Sequence, residues 1–266
     1  MFLNFWMHVL RCYSKRTPYV NKEKILNDVI ISFTTTPGRI HKMWPTINSL
    51  LLQTQLPSKI FLWLPKNYHR FQNNFIVNIP NFLKDNPLIQ IEFIEKDWGP
   101  STKLLPYLEK FQNYPDTKII VIDDDRIYPK TLIEDLVNYS NQYPQDAITI
   151  AAVVMSNSGR QEYTHSNKLK EIDVMLGYQG YLVKPRFFTP EIFNYSADCP
   201  EAFFEDDVWI SANLKKNNIM RLMIPSRPGT QNVLTGNTFS SGLCVHENKD
   251  KRNFIKTWEY FYKKVF

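Results

Sequence analysis

Cysteine is scarce in this chain of 266 residues: Cys12, Cys199 and Cys244 are odd in number, and none stands in a C-x-x-C pair. That spacing supplies neither a disulfide framework nor a zinc site, and a reducing compartment is the simpler expectation. Glycine is rare too, at 8 residues, and the segment Thr34 to Arg39 contains only one, which argues against an early glycine-rich phosphate loop. No apolar run approaches the ~20 residues that a membrane-spanning helix needs. No basic stretch precedes the apolar part of the N-terminal segment and no small-residue cleavage site follows it, so it does not read as a secretory leader. Acidic side chains are outnumbered, 26 against 32, and the net charge of +6 favours anionic partners such as nucleic acid, nucleotide diphosphates or a membrane surface. The lysines are dispersed except near the termini, which is not the footprint of a nucleic-acid binder, and none is expected as a partner.

What is present begins with Ile119-Ile120-Val121-Ile122 running directly into Asp123-Asp124-Asp125. A continuous β-branched run reads as a strand buried on both faces, and three carboxylates at its carboxyl end require a compensating positive charge. Hard oxygen donors there suit Mg²⁺ or Mn²⁺, with open positions left for phosphate oxygens. The alternative is an acidic turn capping the helix that starts near Pro129. Around this strand, the pattern predicts strands at Val29–Thr34, Ile60–Leu64 and Ile89–Ile94, with a helix after Pro45 and another near Lys103–Phe111. Pro65 to Pro87 reads as mostly loop. Past the helix at Pro129–Gln142, a strand is expected over Ala147–Met155, a polar stretch over Ser156–Lys170 and a strand at Tyr181–Lys184. Alternating strands and helices imply an α/β fold, a mostly parallel central sheet with helices on both faces and the acids at its functional edge.

A second acidic cluster, Glu205-Asp206-Asp207, opens an amphipathic helix. Acids at a helix start are stabilised by the dipole and can cap its amides, but a carboxylate there can also act as a general base toward an acceptor hydroxyl. Gly177 and Gly180 permit close backbone approach to a ligand. Lys103 and Arg39 can contact phosphates, and His246 can serve as a metal or phosphate ligand.

The constellation resembles the glycosyltransferases of the GT-A fold. Asp123-Asp124-Asp125 is similar to their DxD metal motif, Gly177-Tyr178-Gln179-Gly180 to the glycine loop, Glu205-Asp206-Asp207 to the acidic motif and His246 to the late histidine, in the family's order. Thr34-Thr35-Thr36-Pro37-Gly38-Arg39-Ile40 and Asp97-Trp98-Gly99-Pro100-Ser101-Thr102-Lys103 look like blocks of a viral and bacterial branch that includes a chlorella-virus sugar transferase. The resemblance covers Val29 to His246. It implies a nucleotide-binding half (residues 26–145) and a smaller acceptor half (146–250) in one catalytic domain. It implies a nucleotide-diphosphate sugar donor, a glycan or glycolipid acceptor, and Mn²⁺ or Mg²⁺ on Asp125, Asp123 and His246. Donor contacts would come from Thr34, Thr36, Arg39, Asp97, Pro100, Lys103, Asp123, Asp124, Gly177 and Gly180. Asp207, with Asp206 beside it, would be the base, and the helix start Asp207-Val208-Trp209-Ile210 implies inversion at the anomeric carbon. A nucleotidyltransferase and a carbohydrate- or nucleic-acid-binding module are the rivals.

Two flanking segments complete the reading. Residues 1–25 carry a stripe of Phe2, Trp6, Val9, Leu10 and Tyr13 followed by Lys15 and Arg16. Residues 251–266 carry Phe254, Trp258, Phe261, Tyr262 and Val265 among Lys251, Arg252, Lys256, Lys263 and Lys264. Each stripe either packs against the domain or lies on anionic lipid. The expected location is cytoplasmic, with peripheral contact at the cytoplasmic membrane face.

Overall fold

The computed structural model describes residues 2–71, 78–156, 159–194, 199–227, 233–234, 247–248 and 250–264. Among them the elements run α1 (Phe2–Cys12), β1 (Ile25–Thr34), α2 (Trp44–Leu51), β2 (Leu56–Pro65), α3 (Asn81–Lys84), β3 (Ile89–Ile94), α4 (Leu105–Lys110), β4 (Lys118–Val121), β5 (Arg126–Ile127) and α5 (Leu132–Gln142). Next come β6 (Ala147–Thr149), β7 (Ala152–Ser156), β8 (Gly159–Tyr163), β9 (Lys170–Glu171), β10 (Val174–Met175), β11 (Tyr181–Val183), α6 (Asp206–Lys216), β12 (Arg221–Met223), β13 (Val233–Leu234) and α7 (Arg252–Lys264).

One sheet of eight strands, in the order β3-β2-β1-β4-β11-β6-β12-β9, organises the chain. The run β3-β2-β1-β4 is parallel throughout, as the strand-helix alternation predicts. β11 breaks that pattern by entering antiparallel between β4 and β6, and β9 is antiparallel at the far edge. The sheet is therefore mixed, though mostly parallel. The strand predicted over Ala147–Met155 is in fact two: β6 stays in the large sheet, while β7 leaves at residues 150–151 to form a small antiparallel sheet with β8 and β10. An uninterrupted apolar run does not show where a chain changes sheets, and the polar stretch expected over Ser156–Lys170 contains β8, whose residues are half-buried or exposed.

Alternation along β1 and β4 divides the core into two layers. Val29, Ile31, Phe33, Ile120 and Ile122 face Ile47 and Leu50 of α2 and Leu132, Ile133 and Leu136 of α5. Ile30, Ile119 and Val121 face Leu105 and Leu108 of α4 and Trp209 and Ile210 of α6. Helices thus cover both faces, and β4 is apolar from Ile119 to Val121 because neither side meets water there. The helix expected near Lys103–Phe111 is divided: a 3-10 turn spans Gly99–Lys103 before α4 begins.

The flanking helices behave differently from each other. α7 packs its stripe onto the domain, with Phe254 and Phe261 buried and the Phe261 ring edge-on to Trp209 at 4.7 Å. Packing against the domain accounts for the buried part of that stripe. α1 splits its apolar residues: Val9 and Cys12 are buried with Ile127, whereas Trp6, Leu10 and Tyr13 face outward.

Candidate active site

The sheet ends its parallel strands at one rim, and the three aspartates follow β4 there. Tyr128 holds their loop: its hydroxyl donates to the Asp123 carbonyl at 3.1 Å and accepts from the Asp123 amide at 3.0 Å. Asp124 turns inward. Its carboxylate accepts from Thr35 and from the Arg39 guanidinium, and its carbonyl accepts from Thr46 at 2.9 Å. Asp125 lies 3.5 Å from Arg39 and 3.8 Å from Nε of Arg126, whose guanidinium sits 4.5 Å from the Tyr178 ring. Arg39 and Arg126 supply the positive charge that the sequence demanded beside the three acids.

The predicted phosphate contact Lys103 occupies the centre of the arrangement, only 4% exposed. Its 3-10 turn is built by Asp97, whose two carboxylate oxygens accept from the amides of Gly99 and His69 at 2.8 Å each. Gly99 adopts φ +59°, and a Cβ there would lie 2.5 Å from the Phe203 carbonyl, so only glycine fits. Ser32 of β1 donates to the Lys103 carbonyl at 2.6 Å and itself accepts from the Trp63 indole. With its backbone fixed, the ammonium reaches Asp123 Oδ1 and Asp206 Oδ2, each at 2.9 Å, and stands 3.9 Å from Asp207 Oδ1. Gly177 is the floor beneath it. Its amide donates to both Asp207 oxygens at 3.1 Å, and a Cβ at this position would come within 2.6 Å of the ammonium nitrogen.

The second acidic cluster is therefore not merely a helix cap. Glu205, at the N-cap of α6, makes no side-chain cap hydrogen bond. Asp206 and Asp207 turn toward Lys103 and Gly177, although their charge also complements the helix dipole.

Five aspartates meet three cations in this ion-pair network, so two negative charges are left over when all are ionised. The titration behaviour follows. Burial alone would lower the Lys103 pKa, but Asp123, Asp206 and Asp207 raise it well above the usual lysine value. Burial would raise Asp123, but Lys103, with Arg126 and Arg39 behind it, holds it low. Burial raises Asp206, and burial with the charge of Asp206 raises Asp207 well above the usual carboxylate range. Glu205 is pushed up to about 8, by burial first and by Asp206 second.

These residues line one cleft of about 770 Å³. It brings together Thr34, Thr36, Arg39, Asp97, Pro100, Lys103, Asp123, Asp124, Asp125, Asp206 and Asp207, eleven of the positions singled out in the sequence. Thr34 and Asp97 are structural within it, since Thr34 donates to the Trp63 carbonyl and Asp97 is committed to two amides. Gly177 sits behind Lys103 and Asp207 rather than on the cleft wall. Gly180 does not line the cleft at all: φ +94° ends its turn, and it packs toward Leu132 and Ile122. His246 lies outside the described residues. The sequence reading missed Arg126, Arg160 and Lys251 on the cleft wall and underweighted Glu205. Only Arg126 left a signal, as the cation immediately after the acids.

Among the described residues, no group of three or more His, Cys, Asp or Glu side chains is arranged to hold an ion unaided. The donor chemistry nevertheless fits a divalent cation that completes its shell with phosphate oxygens and water, because hard carboxylates carry an excess of two negative charges. Compared with known proteins, the chain matches no family model and no curated protein.

Proposed function

We propose that the protein is a divalent-metal-dependent glycosyltransferase of GT-A type, transferring a sugar from a nucleotide-diphosphate donor to a hydroxyl of a glycan or glycolipid with inversion. The observation that carries this reading is the cleft in which Lys103 bridges Asp123 of the first acidic cluster and Asp206 of the second. The two acidic clusters are thereby tied side by side on the wall of one cleft large enough for a substrate.

In this mechanism Mn²⁺ or Mg²⁺, held by Asp123 and Asp125, supplies a Lewis acid for the diphosphate oxygens when bound. Arg39 and Arg126 border the same position and offset the charge that grows on the leaving diphosphate. Asp207 accepts the proton of the acceptor hydroxyl as its oxygen bonds to the anomeric carbon and the bond from that carbon to the diphosphate breaks. The Gly177 amide, which donates to both of its oxygens, fixes its orientation. A single displacement on the face opposite the leaving group inverts the centre.

Thermal melts with a panel of nucleotide sugars, with and without Mn²⁺, test the reading, followed by assay for nucleoside diphosphate release. Ligand-linked stabilisation is expected for one donor class, and Asp125→Asn should abolish its metal-dependent part. Release of pyrophosphate from a nucleoside triphosphate would assign a nucleotidyltransferase instead. Glycan binding with no turnover under any donor would assign a binding module.

A further inference from the structure

α1 carries two different faces. At about 100° per residue, Phe5, His8, Val9 and Cys12 fall on one side, and this side packs inward. His8 is anchored by a 2.8 Å hydrogen bond to the Tyr128 carbonyl, and Asn48 of α2 donates to the Cys12 carbonyl. The adjacent arc holds Trp6, Met7, Leu10 and Tyr13, which are 46%, 52%, 69% and 44% exposed. Three large apolar side chains exposed on one helix, with Tyr13 just beyond its end, are a patch, not scattered surface residues. Tyr19, 87% exposed, extends it beyond the helix.

Charge identifies what covers this patch. Arg11, Lys15 and Arg16 lie exposed along its border, and no acidic residue occurs before Glu23. Apolar side chains edged by cations of one sign match the acyl boundary and headgroups of an anionic bilayer. A symmetric pairing of two copies would instead bring their basic borders together without a counter-charge.

We propose that the outer face of α1 docks the protein on an anionic lipid surface, inserting Trp6, Met7 and Leu10 while Arg11, Lys15 and Arg16 meet the headgroups. The placement has a built-in consequence. Tyr128, whose carbonyl holds His8, also clamps the Asp123 loop through its hydroxyl, so the docked helix and the rim of the cleft are joined by one residue. The docking is independent of the chemistry proposed for the cleft.

The test is co-sedimentation of the full chain with vesicles of phosphatidylcholine alone or of phosphatidylcholine with phosphatidylglycerol. The parent should bind the anionic vesicles and release them as salt is raised. Trp6→Ser with Leu10→Ser should lower the partition coefficient on the order of tenfold to a hundredfold. Arg11→Glu with Arg16→Glu alters side chains outside the packed face of α1, and it should abolish the preference for anionic lipid. Circular dichroism checks that α1 is retained. Parent binding that is absent, or equal binding by parent and both variants, overturns the proposal. So does a concentration-dependent dimer in ultracentrifugation that Trp6→Ser with Leu10→Ser dissolves, which would assign the face to a second copy.

Discussion

Replacing Lys103 with methionine keeps most of an unbranched stem and deletes only the charge that Asp123, Asp206 and Asp207 share. Removing one partner of a buried ion pair costs about 3–5 kcal/mol, because the remaining charge is neither solvated nor compensated. The protein can relieve that cost by protonation. Asp206 and Asp207 already have raised values, and loss of the ammonium raises them further. A carboxyl whose folded value lies above its unfolded value stabilises at low pH and loses that contribution as pH rises toward the folded value. Each proton held only by the folded state therefore changes stability by about 1.4 kcal/mol per pH unit. The deficit of Lys103→Met should be about 3–5 kcal/mol where the carboxylates are ionised and shrink toward acid, by about 1.4 kcal/mol per pH unit for each proton that the variant's folded state holds and the parent's does not. Urea melts of parent and variant from pH 5 to about pH 8 measure this directly. Lys66→Met is the comparison: Lys66 pairs with Glu95 at the surface, where an ion pair contributes about 0–1 kcal/mol. If Lys103→Met cost no more than Lys66→Met, or if its deficit did not change with pH, the buried charge network would not be as described.

The remaining predictions address the other parts of the site. Asp207→Asn should lower turnover by about two to four orders of magnitude with donor affinity nearly unchanged, and product NMR should show inversion; if only Asp206→Asn removed turnover, the roles within the pair would be exchanged. Gly177→Ala drives a methyl group toward the Lys103 ammonium and Asp207, and should destabilise by about 1–3 kcal/mol while reducing activity; an unchanged melting temperature and rate would refute the tight floor. Glu205, protonated in the folded state up to about pH 8, should make the parent lose about 1.4 kcal/mol per unit as pH rises from its unfolded value, and Glu205→Gln should flatten that slope. The same slope in both proteins would mean that Glu205 titrates as an ordinary surface acid.

The parallel half of the fold was legible because its strands obey simple patterns, apolar runs in β1, β2 and β4 and alternation in the edge strand β3, separated by helices that start at turn residues such as Pro45. The antiparallel entry of β11 was not, since Tyr181–Val183 are apolar in either direction and nothing local encodes which neighbour they pair with. The aspartate loops could be located by the conflict between their charge and their position beside buried strands. Two of their counter-ions, Arg39 and Lys103, were singled out as phosphate contacts, but their pairing with the acids was not legible, because Arg39, Lys103 and Arg126 reach them from three separate segments. The opposite behaviour of α1 and α7 likewise depends on what tertiary surface each meets, which a helical stripe alone does not specify.

The insertion of β11 between β4 and β6 also bears on the order in which the molecule can assemble. β4 can pair with β1 as soon as it is made, but its other edge stays open until a strand some sixty residues later returns to it. The Gly177 floor arrives with that late strand, and Asp206 and Asp207 arrive later still. Contacts between residues so distant in the chain close large loops and are among the slower steps of folding. A nascent chain ending before α6 would hold Lys103 against Asp123 alone, so the buried ion-pair network closes only after α6 has joined the sheet.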